Sequence, residues 1–251
     1  MLYLYYFLLT LTLLAAVSMI YHSLRNGITP MPSSRRAAEL MVKCAAEEAA
    51  LIVAGAQHRS AAGAGTATAK GTATTAAKTA AAAAAASTTA AATAATSKAT
   101  AAATAATAAA GKKVRIIEAG SGWGGLAIAL ARRIPGAQVV GYENSPLPFL
   151  CSALRARITG CPWVQFRFSD YRKIDLAEAD IIVAYLFPQG MSDLARLLTS
   201  ASAKSRPPTL ISNTFALPGI QPKRRLQSGD ASLSTVYVYR SAGGMIKTNR
   251  M

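Results

Sequence analysis

The chain has 251 residues, 52% of them hydrophobic and 15% charged, and 27 Lys+Arg against 11 Asp+Glu give it a net charge of +16. That balance excludes a chain disordered throughout, and two histidines, His22 and His58, with no ligand partner near either, argue against a metal site. Three cysteines (Cys44, Cys151, Cys161) form neither a disulfide framework nor a C-x-x-C pair, which points to a reducing compartment.

The basic excess is distributed, +5 on residues 1–110 and +11 on 111–251. Such a field suits an anionic membrane surface, an acidic substrate or nucleic acid, and does not choose among them. Residues 1–21, MLYLYYFLLTLTLLAAVSMIY, carry no charged side chain. A helix of about 20 such residues spans a bilayer core. The tyrosines at 3, 5 and 6 suit an aromatic belt, and Arg25, Arg35, Arg36 and Lys43 follow. Residues 1–24 are therefore expected to be a single-pass anchor, with the bulk of the chain facing the cytoplasm or an organellar matrix. The alternative is a cleaved signal, with Ala16 and Ser18 as the small-x-small site, but a basic n-region is missing.

Residues 25–60 read as a linker and an amphipathic helix. Pro30 and Pro32 favour an extended crossing, and Ser33 or Ser34 can cap a helix over about 35–54 that carries Leu40, Met41, Cys44, Leu51 and Ile52. Residues 61–110 hold 29 Ala and 13 Thr and nothing large to bury. They are expected to be a low-complexity insertion without chemistry. Subtracting anchor and insertion leaves about 170 residues, enough for one well-buried core.

From 111 to 243, apolar strand candidates (114–120, 137–143, 164–170, 179–187, 209–215, 234–240) alternate with helical ones (124–134, 146–160, 190–202), and 244–251 is a tail. This is an α/β pattern: a Rossmann-like, doubly wound, mostly parallel sheet, the last strand antiparallel at its edge.

The first of these strands runs into Gly120-Ser-Gly122-Trp-Gly124-Gly125. Glycines permit close backbone approach, and the helix start behind them offers free N–H groups. The spacing satisfies both G-x-G-x-x-G, a dinucleotide loop, and G-x-G-x-G. Three features favour the second. Glu118 puts an acid where dinucleotide folds keep an apolar residue, Trp123 crowds the pyrophosphate position, and no second domain remains for a hydride acceptor. Glu143 ends the second strand 23 residues after Gly120, where an acid accepts ribose hydroxyls. Asp170, followed by Tyr171, ends the third. Acids at three successive strand tips should converge on one crevice.

These residues resemble the class I, seven-β-strand, S-adenosylmethionine-dependent methyltransferases, whose first motif is E-x-G-x-G-x-G, here Glu118 to Gly124. More narrowly the chain is similar to membrane-anchored lysine methyltransferases of the mitochondrial adenine nucleotide translocase and ATP synthase c-subunit group, and to their bacterial relatives. The matching stretches are the anchor, the P-x-P-S-S linker, GSGWGGLAIALAR (120–132), VVGYENSPLPFL (139–150), Asp170, YLFP (185–188) and SNTFALPG (212–219). The resemblance implies that Gly120, Gly122 and Gly124 form a floor under the methionine moiety of the cofactor, with Glu118 near its ammonium. It also implies that Glu143 holds the ribose and Asp170 the adenine amino group, that Tyr171 belongs to the cofactor site, and that Pro30–Ser34 folds back as a cap.

The acceptor is expected where the fourth strand ends. Tyr185, Phe187 and Pro188 could wall a channel for an alkyl amine, or Tyr185 and Phe187 are core residues at alternating spacing. Asn213 and Thr214 could line the same side. Ala184 stands where some lysine methyltransferases carry an acid, so no catalytic base is identified. Lys223, Arg224 and Arg225 read as a loop, either solvated or gripping headgroups. The leading function is methylation of a protein lysine at a membrane. Methylation of a lipid, quinone or other small molecule, and an inactive membrane-tethered binding module, are the alternatives. Nucleic acid is not an expected partner, because no base-flipping or single-strand-reading motif accompanies the charge.

Overall fold

The computed structural model describes residues 1–26, 34–64, 113–202, 207–229 and 234–240. Most of the linker before Ser34, all but the first residues of the Ala/Thr block, and the tail lie outside the described residues.

Five strands alternate with helices or turns: β1 (Arg115–Ala119), β2 (Gln138–Glu143), β3 (Val164–Phe168), β4 (Ile181–Ala184) and β5 (Thr209–Asn213). Two more follow, β6 (Arg224–Gln227) and β7 (Thr235–Tyr239). They form one seven-stranded sheet in the order β3-β2-β1-β4-β5-β7-β6. The first five are parallel, and β7 lies antiparallel between β5 and β6. Strand order reverses at β1, so the crevice for a ligand lies beyond the tips of β1 and its neighbours.

The expected edge strand is thus interior. The true edge, β6, is the segment read as a basic loop. Its sequence RRLQ has one apolar residue, and its exposure simply alternates. Charged edges of this kind resist pairing with other chains, and they carry no hydrophobic signature to predict from. β4 also stops at Ala184 rather than 187, because Pro188 opens the next helix.

Helices cover both faces. α3 (Gly125–Arg133) buries Leu126, Ile128 and Leu130 and ends on Arg132 and Arg133, which complement its dipole. α4 (Pro146–Ile158) starts with proline in its first turn. α5 (Pro188–Ser202) packs Met191, Leu194 and Leu198 on the opposite face. α1 (Leu2–Asn26) is long and apolar enough over Leu2–His22 to cross a membrane by length and composition, and a signal sequence passes the same test.

The helix expected over 35–54 is α2 (Arg35–Ala64), and it belongs to the core. Ala37, Met41, Cys44, Ala45, Ala49 and Ile52 are buried against β4, β5, β7 and α3. Leu51, counted with the apolar face, is exposed. Burial pushes the Cys44 thiol up to about 11, which leaves it an inert packing group. Arg224, in β6, reaches Glu47 at 2.7 Å, and Arg240 reaches Glu48 at 3.1 Å. Arg224 is therefore engaged within the fold.

Candidate active site

The turn after β1 is fastened by backbone. The N–H groups of Gly120 and Ser121 both donate to the Tyr142 carbonyl, at 3.0 and 2.9 Å. Gly120, Gly122 and Gly124 adopt φ of +73°, +51° and +73°, conformations that tax any residue with a Cβ. Their surroundings separate their roles. A Cβ on Gly124 would lie 2.5 Å from the Phe166 ring and 2.7 Å from Ser152, and one on Gly120 would meet Leu186 at 2.9 Å. These two are glycines because the fold closes on them. Nothing lies within 4 Å of a Cβ on Gly122. That position faces open space, as a cradle for a ligand must.

Glu118 and Glu143 lie on the same face of the sheet, with Glu118 level with Gly141. One Glu143 oxygen accepts from the Gly122 N–H at 2.8 Å, the other from the Ser145 N–H at 2.8 Å. A carboxylate has roughly four lone-pair sites, so each oxygen keeps capacity for a further donor such as a hydroxyl. Glu118 is buried and accepts from the Ala127 N–H in the first turn of α3. Its Oε2 has no partner. Burial, with the nearby charge of Glu143, pushes its carboxyl up to about 8, although the Ala127 bond opposes this. An orphaned, easily protonated acid beneath the turn fits a ligand that brings a cation.

Asp170 is placed differently. It caps a short 3-10 turn (Tyr171–Lys173) through the Arg172 N–H at 2.9 Å. The Arg172 guanidinium reaches both of its oxygens at 2.7 to 3.0 Å. Burial alone would raise the Asp170 carboxyl, but the hydrogen bonds and charge of Arg172 outweigh it and hold it low. Arg172 also reaches Asp193 of α5 at 3.4 Å. Tyr171 donates to the Gly190 carbonyl at 3.2 Å. Glu118, Glu143 and the glycines thus come together, whereas Asp170 is committed to Arg172. Sequence reasoning missed Arg172, whose signal was its position two residues after the acid.

The tips of β4 and β5 form the other half. Leu186 sits against Gly120, so the Tyr185–Phe187 segment borders the glycine turn. Phe187 is 39% exposed and meets Phe215 edge-on with ring centroids 5.9 Å apart. It is not a core residue. Pro188 begins α5. Asn213 is buried and its Oδ1 has no partner. Beyond it the Phe215 N–H donates back to the Asn213 carbonyl at 2.7 Å, across Thr214 at φ +66°. This is a γ-turn with a β-branched residue in the left-handed region, a costly conformation. The Ser212 hydroxyl donates to the Phe215 carbonyl at 2.9 Å, and the Thr214 N–H donates to the Thr235 carbonyl at 2.8 Å. Together these bonds fix the strained turn.

Among the described residues no group of three or more His, Cys, Asp or Glu is arranged to hold a metal. Residues 118–224, from the acid of β1 to the first residue of β6, match the family model of the ANTKMT methyltransferase domain. The chain carries a class I, S-adenosylmethionine-dependent methyltransferase domain. The open cradle at Gly122, the Glu143 acceptors and the orphaned Glu118 oxygen fit that cofactor.

No curated protein matches the methyltransferase at a significant level. Solved structures similar to it include an RNA methyltransferase from Salinibacter ruber in complex with S-adenosyl-L-homocysteine. That likeness has 27% identity over 53% of this chain and 83% of that one, with a TM-score of 0.46. Another is a mutant of MtNAS in complex with S-adenosylmethionine, at 18% identity, 51% of this chain and TM-score 0.41, where the methyltransferase spans 55% of the other's length. A third is an S-adenosylmethionine-dependent methyltransferase from Aquifex aeolicus, at 14% identity, 51% and 82% coverage and TM-score 0.41.

Proposed function

We propose that the methyltransferase is held in a membrane by α1 with its domain on the cytoplasmic or matrix side, and that it methylates a lysine of a membrane protein. The observation that carries the reading is the aromatic tip of β4 set directly against the glycine turn, through Leu186 on Gly120. The matched family model and the sequence resemblance in YLFP and SNTFALPG support it, as does the apolar length of α1.

S-adenosylmethionine, when bound, supplies the methyl group on a sulfonium leaving group. The chain's own task is positioning. Gly122 and Glu143 hold the cofactor's side of the crevice, and Phe187 and Phe215 present ring surface to an incoming alkyl-ammonium stem. A lysine, of pKa about 10.4 free in water, has to arrive at the methyl group neutral. Ala184 ends β4 where an acid could have stood, Asp170 is paired with Arg172, and Glu118 and Glu143 stand at the glycine turn on the cofactor's side of the crevice. Entry between the rings strips water from the ammonium and lowers its pKa more than ring contact raises it, and the proton passes to solvent before the neutral amine attacks the methyl carbon. With the amine held in line, proximity and orientation account for most of the remaining acceleration.

Membranes given tritiated S-adenosylmethionine and the full chain, then partitioned, should carry label in protein and yield methyl-lysine on hydrolysis. Phe187→Ala should cut labelling about tenfold or more while leaving cofactor affinity unchanged. Label confined to the lipid fraction would replace the lysine reading with lipid or quinone methylation.

A further inference from the structure

We propose that α4 and the adjoining edge of β3 are a lipid-docking surface, laying this flank of the domain on an anionic bilayer; the proposal rests on the membrane reading of α1. α4 is built inside out. A surface helix buries its large apolar side chains and shows polar ones to water, as α5 does with Met191, Leu194 and Leu198 inward. In α4 the buried residues are Pro148 and Ser152, while Leu150, Leu154 and Ile158 point outward. Their four-residue spacing sets them in one line along the helix. Trp163, just before β3, and Phe168, at its end, are the other large apolar side chains exposed at this edge of the sheet, and all five are 50% to 75% exposed. Phe168 is braced by Phe149, with ring centroids 5.4 Å apart.

Two observations name the occupant. The first is charge. Residues 146–169 contain Arg155, Arg157 and Arg167 and no acid. Between α4 and β3 an open groove of about 710 Å³ is lined by Arg157, Arg167, Gly160 and Gln165. Two guanidiniums beside a line of aliphatic side chains suit a phospholipid, with phosphate in the groove and acyl chains against the ridge. The second is continuity. α1 packs against α4, and the less exposed residues of its second half, Ala15, Ser18, Met19 and His22, repeat at helical spacing. The apolar ridge therefore lies beside the membrane-crossing helix, and a tryptophan at its margin suits the headgroup level.

The full chain in lipid nanodiscs tests this, with phosphatidylcholine brominated near the headgroup, with and without phosphatidylglycerol. The emission difference between wild type and Trp163→Phe isolates the signal of Trp163. Its quenching should rise roughly twofold or more with the anionic lipid and fall with salt. It should be lost in the combined Leu150→Ser, Leu154→Ser, Ile158→Ser variant and reduced in Arg157→Gln with Arg167→Gln, while S-adenosylmethionine affinity stays unchanged in both. Carbonate extraction scores α1 separately. Extraction of the chain would sink the anchor reading while quenching on vesicles still upheld docking. Unquenched Trp163, whether or not α1 is inserted, overturns docking, and cross-links between copies through the ridge would reassign it to self-association.

Discussion

The tips of β1 and β2 and the tips of β4 and β5 border one crevice, but they are built by different means. At β1–β2 the elements are backbone N–H groups, positive-φ glycines and two carboxylates, all within one stretch from Glu118 to Ser145. At β4–β5 they are aromatic rings, a buried amide oxygen and a strained γ-turn, gathered from segments nearly thirty residues apart. The contrast is one of tolerance. A cofactor of fixed shape can be held by a rigid, local turn. On the proposed reading the β4–β5 half takes an acceptor that has to enter and leave, and this half spends strain and exposes rings, the usual marks of function rather than stability.

Breaking the comparison starts with Glu118. Its carboxyl titrates near 8 when folded and at its ordinary value of 4.5 when unfolded. Between those pH values the folded chain binds the extra proton, so stability is fully present below about pH 4.5 and is lost as pH rises through about 8. Glu118→Gln should flatten that decline in denaturant titrations across the range, the largest effect expected. A slope unchanged by the substitution would place the charge in solvent. Gly124→Ala comes next. With Phe166 and Ser152 in the way and φ at +73°, it should lose roughly 2–4 kcal/mol of folding stability. Gly122→Ala, facing open space, should lose only about 1 kcal/mol yet bind S-adenosylmethionine poorly. Equal stability losses at the two positions would erase the distinction between packing and cradle.

Glu143→Ala should weaken cofactor binding more than about tenfold by calorimetry, near 1.4 kcal/mol, because it frees the Gly122 N–H as well as removing the proposed ribose acceptor. The smallest effect tests the other half. Thr214→Gly relieves the left-handed strain and should stabilise the fold by about 1 kcal/mol in thermal melts, while methylation slows. A faster enzyme would mean the strain is incidental.

The sheet and the glycine turn with its two acids were legible because their signals are local. Apolar strands alternate with amphipathic helices, and an acid, three glycines and a second acid follow at fixed distances. What escaped was made by partners distant in sequence. β6 carries Arg224 and Arg225 rather than a strand pattern and is held by pairing with β7. α2 reads as a modest amphipathic helix because Ala37, Ala45, Ala46 and Ala49 make up much of its core face, small enough to lie close on the sheet. The pairing of Asp170 with Arg172 left no spacing signal in the sequence beyond a base two residues after an acid. The Phe187–Phe215 contact spans two strand tips that no spacing rule joins.

Sheet order carries one more consequence. β3 lies at one edge and β4 three strands away, which at the usual separation between strands is about 14 Å. If the α4–β3 flank rests on lipid and the acceptor enters at Phe187, as proposed, the methyl acceptor stands about that far clear of the headgroups. A side chain on a short loop of an integral protein bridges such a height, whereas a quinone ring or lipid headgroup would have to be lifted out of its leaflet.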